Sequence, residues 1–491
     1  MKLKLLGLVI VLALLYLGYT YYSSQQVQET AATPVLRETS AYTSDDAHTF
    51  PLSGKTSYKM ELYLDNTSRT LNGVTYIYTV NNRRDPLNEL CFTVYPQAFA
   101  SAQSTPAPTE SYYAGFNPGG IDIAQIWING AEAEGIIEGI TLKTELPRNI
   151  LSQEQLEIKM VWETKIPRLA YRFGYNEGVY MLGAFHTILN VLTDDGWCVS
   201  YNSPFGDPFC FSSADYQAEI NIPETMSLVS AGAIMDIRAE DNGRQIILAE
   251  AKNVRDFSLA VMYDYKKADL SKNNTLVEVY APGKKAGEIN NIAYQAEEIL
   301  NYYASSWGSY PYPEFKVVFV PMRGFYGMEY SGMIFLRDEC LDPGYDRNRF
   351  DFLLAHEIAH QWWYGMVGNN QFKEAWLDEG LANWSAYKYL QTYKNQSPPA
   401  VIPNYKTNVN LALSDIRNSQ AYYLAAYNGG EAFWLNLEQV LGTETVNNIL
   451  RRYLADYRYK IATGQDLVKI INWETDRDMT AFLARWSLVY P

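Results

Sequence analysis

Cysteine and histidine are scarce in this sequence, with four of each among 491 residues. The spacing of the cysteines does not match a metal-binding cluster. They are Cys91, Cys198, Cys210 and Cys340. Cys198 and Cys210 are the nearest pair in sequence, and both a disulfide between them and two free thiols are compatible with an exported chain.

Basic residues are outnumbered by acidic ones, with 40 Lys and Arg against 55 Asp and Glu, and the formal net charge is -15 at pH 7. Proteins that bind nucleic acid neutralise its phosphates with a basic surface. The composition therefore argues against nucleic acid as a partner. The hydrophobic fraction of 47% over this length is sufficient for two or three domains with sizeable cores.

Charge is absent from residues 5–22, whereas Lys2 and Lys4 precede them. A run of this length can span a bilayer, and no small-residue cleavage pattern follows it promptly. Residues 1–22 are therefore predicted to be a signal anchor, which places the remaining chain on the extracytoplasmic side of the membrane. Cleavage, and hence secretion, is the alternative. The polar residues 23–48 are predicted to be a flexible tether.

Two of the four histidines lie in His356-Glu357-Ile358-Ala359-His360. Residues four apart share one face of a helix, so both imidazoles can bind one metal ion with Glu357 beside it. Glu379 follows His360 after eighteen intervening residues and completes a His-His-Glu set. Three protein ligands leave one position for water, which is typical of a catalytic zinc site with one Zn2+ per chain. The alternative is an ordinary amphipathic helix, in which buried histidines would still need partners.

This set predicts metal-assisted hydrolysis of a peptide bond. Zinc would lower the pKa of its water to about 7 and polarise the scissile carbonyl. Glu357 would accept the proton of the water and then deliver it to the leaving amine. Asp378 and Glu374 are candidate hydrogen-bond partners for the histidine rings.

Glu329 lies twenty-seven positions before the first of these histidines, in Tyr326-Gly327-Met328-Glu329-Tyr330. With the zinc set, this segment resembles the aminopeptidase N family of zinc metallopeptidases, whose members carry Gly-x-Met-Glu-Asn on a strand edge. The resemblance implies that Glu329 binds the free amino terminus of a peptide, in a site that Gly327 and Met328 also line. Tyr330 stands in place of the family's asparagine.

Tyr427-Asn428-Gly429-Gly430 precedes an apolar run and resembles the family's Tyr-x-Lys-Gly segment, with Gly429 in place of lysine. The resemblance implies that the Tyr427 hydroxyl donates to the oxyanion of the tetrahedral intermediate. Tyr422 and Tyr423 are competing candidates. A tyrosine of the core is a further alternative, because the chain contains 40 tyrosines.

The predicted fold class is α+β. Short strand-like runs between turn residues predict a mostly antiparallel β domain over residues 49–260, and residues 261–491 mix strand and helix periodicity. Predicted helices there include 350–366 and 432–457. The family resemblance, which extends to Phe205-Gly206-Asp207-Pro208-Phe209, implies a saddle-like β domain and a thermolysin-like catalytic domain. It also implies a short form that lacks the C-terminal helical domain of longer members.

Three classes of function follow from these patterns. The leading one is a membrane-anchored zinc aminopeptidase that acts on peptides with a free amino terminus. A zinc endopeptidase is the second, because the metal ligands alone permit it, although an endopeptidase has no use for Glu329 as an amine anchor. The third is a scaffold that keeps the fold for peptide binding without catalysis.

Overall fold

The structure is a computed structural model that describes residues 55–400 and 406–490. The predicted signal anchor and tether, residues 1–22 and 23–48, lie outside the described residues. Among the residues that are described, no helix has both the length and the apolar character needed to cross a membrane. The predicted domain boundary near residue 260 stays a prediction.

Strands dominate the chain up to about residue 282. In the first of them, Ser57–Asp65, buried residues alternate with half-buried ones, as expected for a sheet with one face on a core. In chain order the strands are β1 Ser57–Asp65, β2 Thr70–Val80, β3 Leu87–Thr93, β4 Gly120–Ile128, β5 Ala131–Ala133, β6 Gly135–Glu138, β7 Thr141–Ile150, β8 Gln155–Lys165, β9 Phe173–Asn176, β10 Val179–Leu182, β11 Ile188–Leu189, β12 Leu192–Thr193, β13 Gly196–Trp197, β14 Ala214–Pro223, β15 Ser227–Ser230, β16 Ala233–Glu240, β17 Arg244–Val254, β18 Leu259–Met262, β19 Tyr265–Lys272, β20 Thr275–Pro282, β21 Glu314–Val320, β22 Gly327–Tyr330 and β23 Met333–Arg337.

The largest sheet has the order β16-β17-β14-β1-β2-β8-β4-β5. Its neighbouring strands are antiparallel except for β1 and β14, which are parallel. Smaller sheets, β15-β18-β10-β9 and β11-β3-β7-β6, accompany it. Most apolar side chains of these strands form one buried cluster, and those on the other face of the sheet β15-β18-β10-β9 join a second cluster with the sheet around β21–β23.

A separate sheet with the order β19-β20-β21-β23-β22 carries the segment around Glu329. Its last strand, β22, pairs antiparallel with β23, with Glu329 opposite Ile334. Because β22 is at the end of this order, its second edge is free for other partners. The sheet thus presents an edge strand beside the helices that follow.

Helices dominate the rest of the chain. They are α1 Ile289–Trp307, α2 Arg347–Ala359, α3 Gln371–Glu374, α4 Glu379–Tyr393, α5 Ser419–Tyr422, a π-helix Tyr423–Gly429, α6 Gly430–Leu441, α7 Thr443–Tyr457, α8 Gly464–Glu474 and α9 Thr480–Ala484, with 3-10 turns at Tyr95–Phe99, Thr109–Ser111, Gly283–Glu288, Asp338–Leu341, Ala375–Leu377 and Leu413–Asp415. Aromatic residues such as Trp362, Trp384 and Trp434 fill the core that these helices share. The α+β class is confirmed.

Two predicted helices differ from the structure. The helix predicted over 350–366 ends at Ala359, because residues 361–363 continue in tighter turns. The helix predicted over 432–457 is divided into α6 and α7 at Gly442, which has a φ of 82°. Glycine adopts this left-handed conformation without the steric cost that other residues meet.

Cys198 and Cys210 are free thiols. Cys210 is buried, and the Asn370 side chain donates to Cys198 Sγ at 2.9 Å. The same part of the chain is held by the Gln371 backbone N–H, which donates to the Phe209 carbonyl at 3.0 Å. The pair therefore lies where the β region contacts α3.

Candidate active site

The three residues of the predicted zinc set converge on one point. His356 is in the last turn of α2, His360 caps that helix, and Glu379 is the first residue of α4. Their donor atoms are close together: Nε2 of His356 and Nε2 of His360 are 3.1 Å apart, and Glu379 Oε2 is 3.2 Å and 3.4 Å from them. All three residues are buried.

This geometry fits a tetrahedral metal ion. Ligand atoms about 2.0–2.1 Å from zinc lie roughly 3.3 Å from one another, and the observed separations are 3.1–3.4 Å. The buried Glu379 Oε2 has no hydrogen-bond partner among the described residues. Two imidazole nitrogens and a carboxylate oxygen are the donors that zinc prefers in catalytic sites. The residues present therefore fit zinc.

Contacts just after α2 fix the orientation of His360. Its Nδ1 donates to the Trp363 carbonyl at 2.9 Å, which leaves the lone pair of Nε2 directed at the other donors. Among the described hydrogen bonds, neither Asp378 nor Glu374 reaches a histidine ring. Asp378 instead accepts from Asn369 and Gln371, and Glu374 accepts from the Gly464 backbone.

Gln361 connects the end of α2 to the edge strand. Its side-chain amide donates to the Tyr330 carbonyl at 2.9 Å and accepts from the Gly332 backbone at 2.8 Å. The turn between β22 and β23 is thereby tied to the residue that follows His360. This link holds Glu329 in a fixed position relative to the donor set.

The carboxylate of Glu357 lies against β22. A Cβ atom added at Gly327 would come 2.0 Å from Glu357 Oε1, so only glycine fits at this position without a shift. Gly327 therefore makes room for Glu357, whereas the sequence had suggested that it lines an amine site. Glu357 is 5% exposed, which leaves it desolvated beside the donors.

Glu329 is buried on β22, and its Oε1 accepts from Gln371 Nε2 at 3.1 Å. Gln371 also donates to Asp378, which holds the amide in place. Arg172 and Asp207 form a buried ion pair that lines the same pocket. Sequence reasoning missed Gln371 and Arg172, because no short motif marks them, and had noted Asp207 only within a segment of resemblance.

Tyr330 and Met328 point into the packed interior. Met328 belongs to a buried cluster with Val320 and Phe335. The Tyr330 ring meets Phe335 edge-on at 5.0 Å, and its buried hydroxyl has no hydrogen-bond partner among the described residues. A Cβ atom at Gly183 would come 2.2 Å from this hydroxyl. Tyr330 therefore fills the space behind Glu329.

Tyr427 is directed at the donor set. Its hydroxyl donates to Glu379 Oε1 at 2.5 Å, and its ring stacks on His356 with centroids 6.0 Å apart. Close packing of two glycines brings it there, because a Cβ at Gly380 would come 2.4 Å from the Gly430 Cα. The rival Tyr422 is buried against Phe205, and Tyr423 is 53% exposed.

Negative charge accumulates around the donors. Burial raises the pKa of Glu357 to about 8, an effect that Glu379 enhances and His360 opposes. Burial also raises the pKa of Glu329 well above its usual range, and the nearby Asp207 adds to this. The two imidazoles hold the pKa of Glu379 below its usual range against the effect of burial. Such a site favours cations, a metal ion at the donors and an ammonium group at Glu329.

Residues 293–486 match the family profile described as the peptidase family M1 domain. This range contains the three donors, Glu357 and Glu329. These residues, less than half of the chain, are thus similar to the peptidase family M1 domain. The match agrees with the family resemblance that the motifs had indicated.

Curated relatives of this chain include proteins from archaea and plants. "Probable aminopeptidase 1" of Sulfurisphaera tokodaii is 23% identical over 307 residues, which is 56% of this chain and 38% of that protein. "Tricorn protease-interacting factor F2" of Thermoplasma volcanium is 24% identical over 212 residues, or 39% of this chain and 27% of that protein. "Aminopeptidase M1" of Arabidopsis thaliana is 20% identical over 313 residues, or 57% and 34%. The chain thus spans less than two fifths of the length of these relatives.

A solved structure shares the fold of this chain. A crystal structure of an M1 zinc metallopeptidase from Deinococcus radiodurans aligns with a TM-score of 0.63 at 14% identity. The alignment covers 89% of this chain and 96% of that chain. The shared architecture therefore extends well beyond the domain that the family profile matches.

Proposed function

We propose that this chain is a zinc-dependent aminopeptidase that removes residues from the amino end of peptides. The observation that carries the proposal is the buried His356, His360 and Glu379 set, with its donors at the separations expected of zinc ligands. The match of residues 293–486 to the peptidase family M1 domain and the names of the relatives support it. The substrate class is a peptide with a free amino terminus.

Zinc bound by the three donors supplies Lewis-acid chemistry, which polarises the scissile carbonyl and lowers the pKa of water. Glu357 accepts a proton from the attacking water and delivers it to the leaving nitrogen. Its carboxylate is kept beside the reacting atoms by the absence of a side chain at Gly327. Burial excludes bulk water from this proton transfer.

Glu329 anchors the substrate's ammonium group. Gln371 orients its carboxylate with one hydrogen bond, so that the remaining lone pairs are available to the substrate. The free edge of β22 gives the peptide a strand to pair with. A substrate without a free amine would bury Glu329 unpaired, which favours removal of the terminal residue over internal cleavage.

Tyr427 stabilises the oxyanion in this proposal. Its hydroxyl hydrogen-bonds Glu379 Oε1 in the absence of substrate, within reach of the same space. Turning from the carboxylate to the developing negative charge would let it donate where charge accumulates. Glu357 thus transfers the proton, and Tyr427 donates a hydrogen bond to the oxyanion.

Turnover of aminoacyl fluorogenic amides by the wild type and Glu357→Gln tests the proposal. We expect hydrolysis that a chelator removes and added zinc restores. The variant should retain zinc. Its kcat should be about 100- to 10,000-fold lower than that of the wild type, because proton transfer contributes about that factor. Cleavage of doubly blocked peptides at internal bonds would favour an endopeptidase, and zinc binding without any turnover would favour a scaffold.

We further propose that the hydrophobic residues 5–22 anchor the enzyme, with the catalytic residues on the extracytoplasmic side. The support is the uncharged run itself, preceded by two lysines. This proposal concerns residues outside the described part of the chain.

A further inference from the structure

Tyr326, immediately before β22, lies between two arginines. The guanidinium carbon of Arg349 is 4.0 Å from its ring centroid, and that of Arg337 is 4.2 Å away. The Tyr326 ring thus contacts two guanidinium groups.

The two arginines differ in their partners. Arg337 forms an ion pair with Glu339 at 3.4 Å and donates to the Phe325 carbonyl at 3.0 Å. Arg349 is exposed, and its guanidinium forms no ion pair with a carboxylate among the described residues. A guanidinium that stacks on a ring is held in a defined plane. Arg349 is thus an uncompensated cation with a fixed plane, in a protein of net charge -15.

Arg349 lies on the face of α2 that carries the donor set. Arg349, Phe352 and His356 are spaced i, i+3 and i+7, which places them on one side of the helix. The Phe352 ring stacks on His356 with centroids 6.1 Å apart. Seven residues of helix place Arg349 about 10 Å from His356 along the axis.

The order of residues along β22 shows on which side of the scissile bond Arg349 and Tyr326 lie. Gly327 is the position in contact with Glu357, and so marks the place of the reacting bond along β22. Glu329 lies two residues further along the strand, whereas Tyr326 lies one residue in the opposite direction. A peptide anchored by its amine at Glu329 therefore extends toward Tyr326 with its leaving-group portion.

We propose that Arg349, held against Tyr326, binds a carboxylate on the leaving-group side of the substrate peptide. The inference rests on the proposed aminopeptidase function and names a preferred substrate class. Since an extended peptide spans about 3.3 Å per residue, a separation of about 10 Å corresponds to two or three residues beyond the scissile bond. The carboxylate is the terminal one of a tripeptide or tetrapeptide, or an acidic side chain at that distance.

The test compares tripeptides that have the same first residue followed by two alanines. The first residue is the one that the enzyme cleaves fastest as an aminoacyl amide. One form has a free C-terminal carboxylate and the other a C-terminal amide. A second pair of amidated peptides has Glu or Gln as the third residue, which separates the side-chain source from the terminal source. KM and kcat are measured for the wild type, Arg349→Gln, Arg349→Lys and Arg347→Gln. Arg347, on the same helix, pairs with Asp351 at 3.1 Å and is the matched control.

We expect the wild type to have a KM about tenfold lower for at least one carboxylate peptide than for its neutral partner. Arg349→Gln should abolish this difference by raising the KM of the acid, with kcat and the turnover of aminoacyl amides unchanged. Arg349→Lys should keep part of it, and Arg347→Gln all of it. Suppose that the wild type hydrolyses aminoacyl amides but has the same KM for each carboxylate peptide as for its neutral partner. That result would overturn this inference and leave the proposed function intact. Absence of all hydrolysis would contradict the proposed function as well.

Discussion

The hydroxyl of Tyr427 touches a carboxylate oxygen of the donor set. At 2.5 Å from Glu379 Oε1, it both restrains that residue and lies close to where an oxyanion would form. These two roles have different consequences when the hydroxyl is removed. A residue that only orients Glu379 supports metal binding, whereas a donor to the oxyanion supports the chemical step.

We expect Tyr427→Phe to lower kcat about 100- to 1,000-fold with zinc content and KM nearly unchanged, because a preorganised oxyanion donor contributes about that factor. The ring should keep its stacking on His356. Kinetics on an aminoacyl amide and zinc analysis of the purified variant check this. Loss of zinc at unchanged kcat per bound zinc would assign Tyr427 an orienting role instead.

A second test concerns the space that the lack of a side chain at Gly327 leaves for Glu357. In Gly327→Ala the new Cβ would meet Glu357 Oε1 at 2.0 Å, so the carboxylate must move. A displacement of about 1 Å of a catalytic group can cost about 100-fold in rate. We expect a fall of that order in kcat with little change in the melting temperature.

Gly287→Ala is the matched control, because a Cβ at that position meets nothing within 4 Å. It should retain wild-type kcat. Equal activity of Gly327→Ala and Gly287→Ala would mean that Glu357 is not positioned by the edge strand.

The two histidine ligands could be predicted because their spacing is local, and Glu379 because it follows them at the spacing of a known motif. Four residues on one helix suffice to bring His356 and His360 together. Gln371 and Asp207 could not be predicted, since their proximity to Glu329 depends on contacts between distant parts of the chain. The space for Glu357 at Gly327 also escaped prediction, because it depends on the distance between a strand and a helix.

At the scale of elements, Arg255 and Asp256 join the end of α2 to the β region. Arg255 is buried and donates to the carbonyls of Tyr364 and Phe211, both at 2.5 Å. Asp256 accepts from the Tyr364 hydroxyl and from the Ser331 backbone. These hydrogen bonds give partners to polar groups of the turn that ends α2. Tyr364, in that turn, has a φ of 140°. The apolar run after His360 had predicted a longer helix, because hydrophobicity carries no information on such long-range partners.

We expect Asp256 to make stability depend on pH. Burial raises its pKa from 3.8 to about 6, although the Tyr364 hydroxyl and Arg255 oppose this. The folded protein therefore holds this proton more tightly than the unfolded chain. The resulting stabilisation is present below pH 4 and is lost as pH rises through about 6, and it amounts to at most about 3 kcal/mol.

Urea unfolding of the wild type and Asp256→Asn at several values between pH 4 and pH 7 measures this. The stability of the wild type should fall relative to that of the variant as pH rises. Asp195→Asn, a change at an exposed carboxylate, should follow the wild type. Parallel curves for the wild type and Asp256→Asn would contradict the assignment.

For the whole molecule, the class and the order of elements were predictable, whereas the arrangement of sheets was not. Alternation of buried and half-buried residues identifies strands such as β1 and β14. Their parallel pairing across more than 150 residues of sequence leaves no local pattern. The structural alignment with a solved M1 metallopeptidase, which covers 89% of this chain, gives the arrangement of the sheets instead.

The anchor proposal also concerns the whole molecule. We expect the full chain to sediment with membranes at high salt and to be released by detergent, because an uncharged run of eighteen residues spans a bilayer. A variant without residues 1–48 should remain in the supernatant with the same activity toward aminoacyl amides. If the full chain is expressed and a protein of reduced mass is found in the culture medium, the segment is cleaved and the protein is secreted.

The most direct test of the central claim is the ratio of kcat/KM for an aminoacyl amide to that for its N-acetylated counterpart, in the wild type and in Glu329→Gln. Loss of a buried charge partner typically costs about 3–5 kcal/mol, which corresponds to about 150- to 5,000-fold. We therefore predict a ratio above about 100 in the wild type and a ratio reduced at least tenfold in the variant, mainly through slower cleavage of the free amine. Cleavage of the acetylated substrate at a comparable rate by the wild type would contradict the claim that Glu329 makes this site an aminopeptidase.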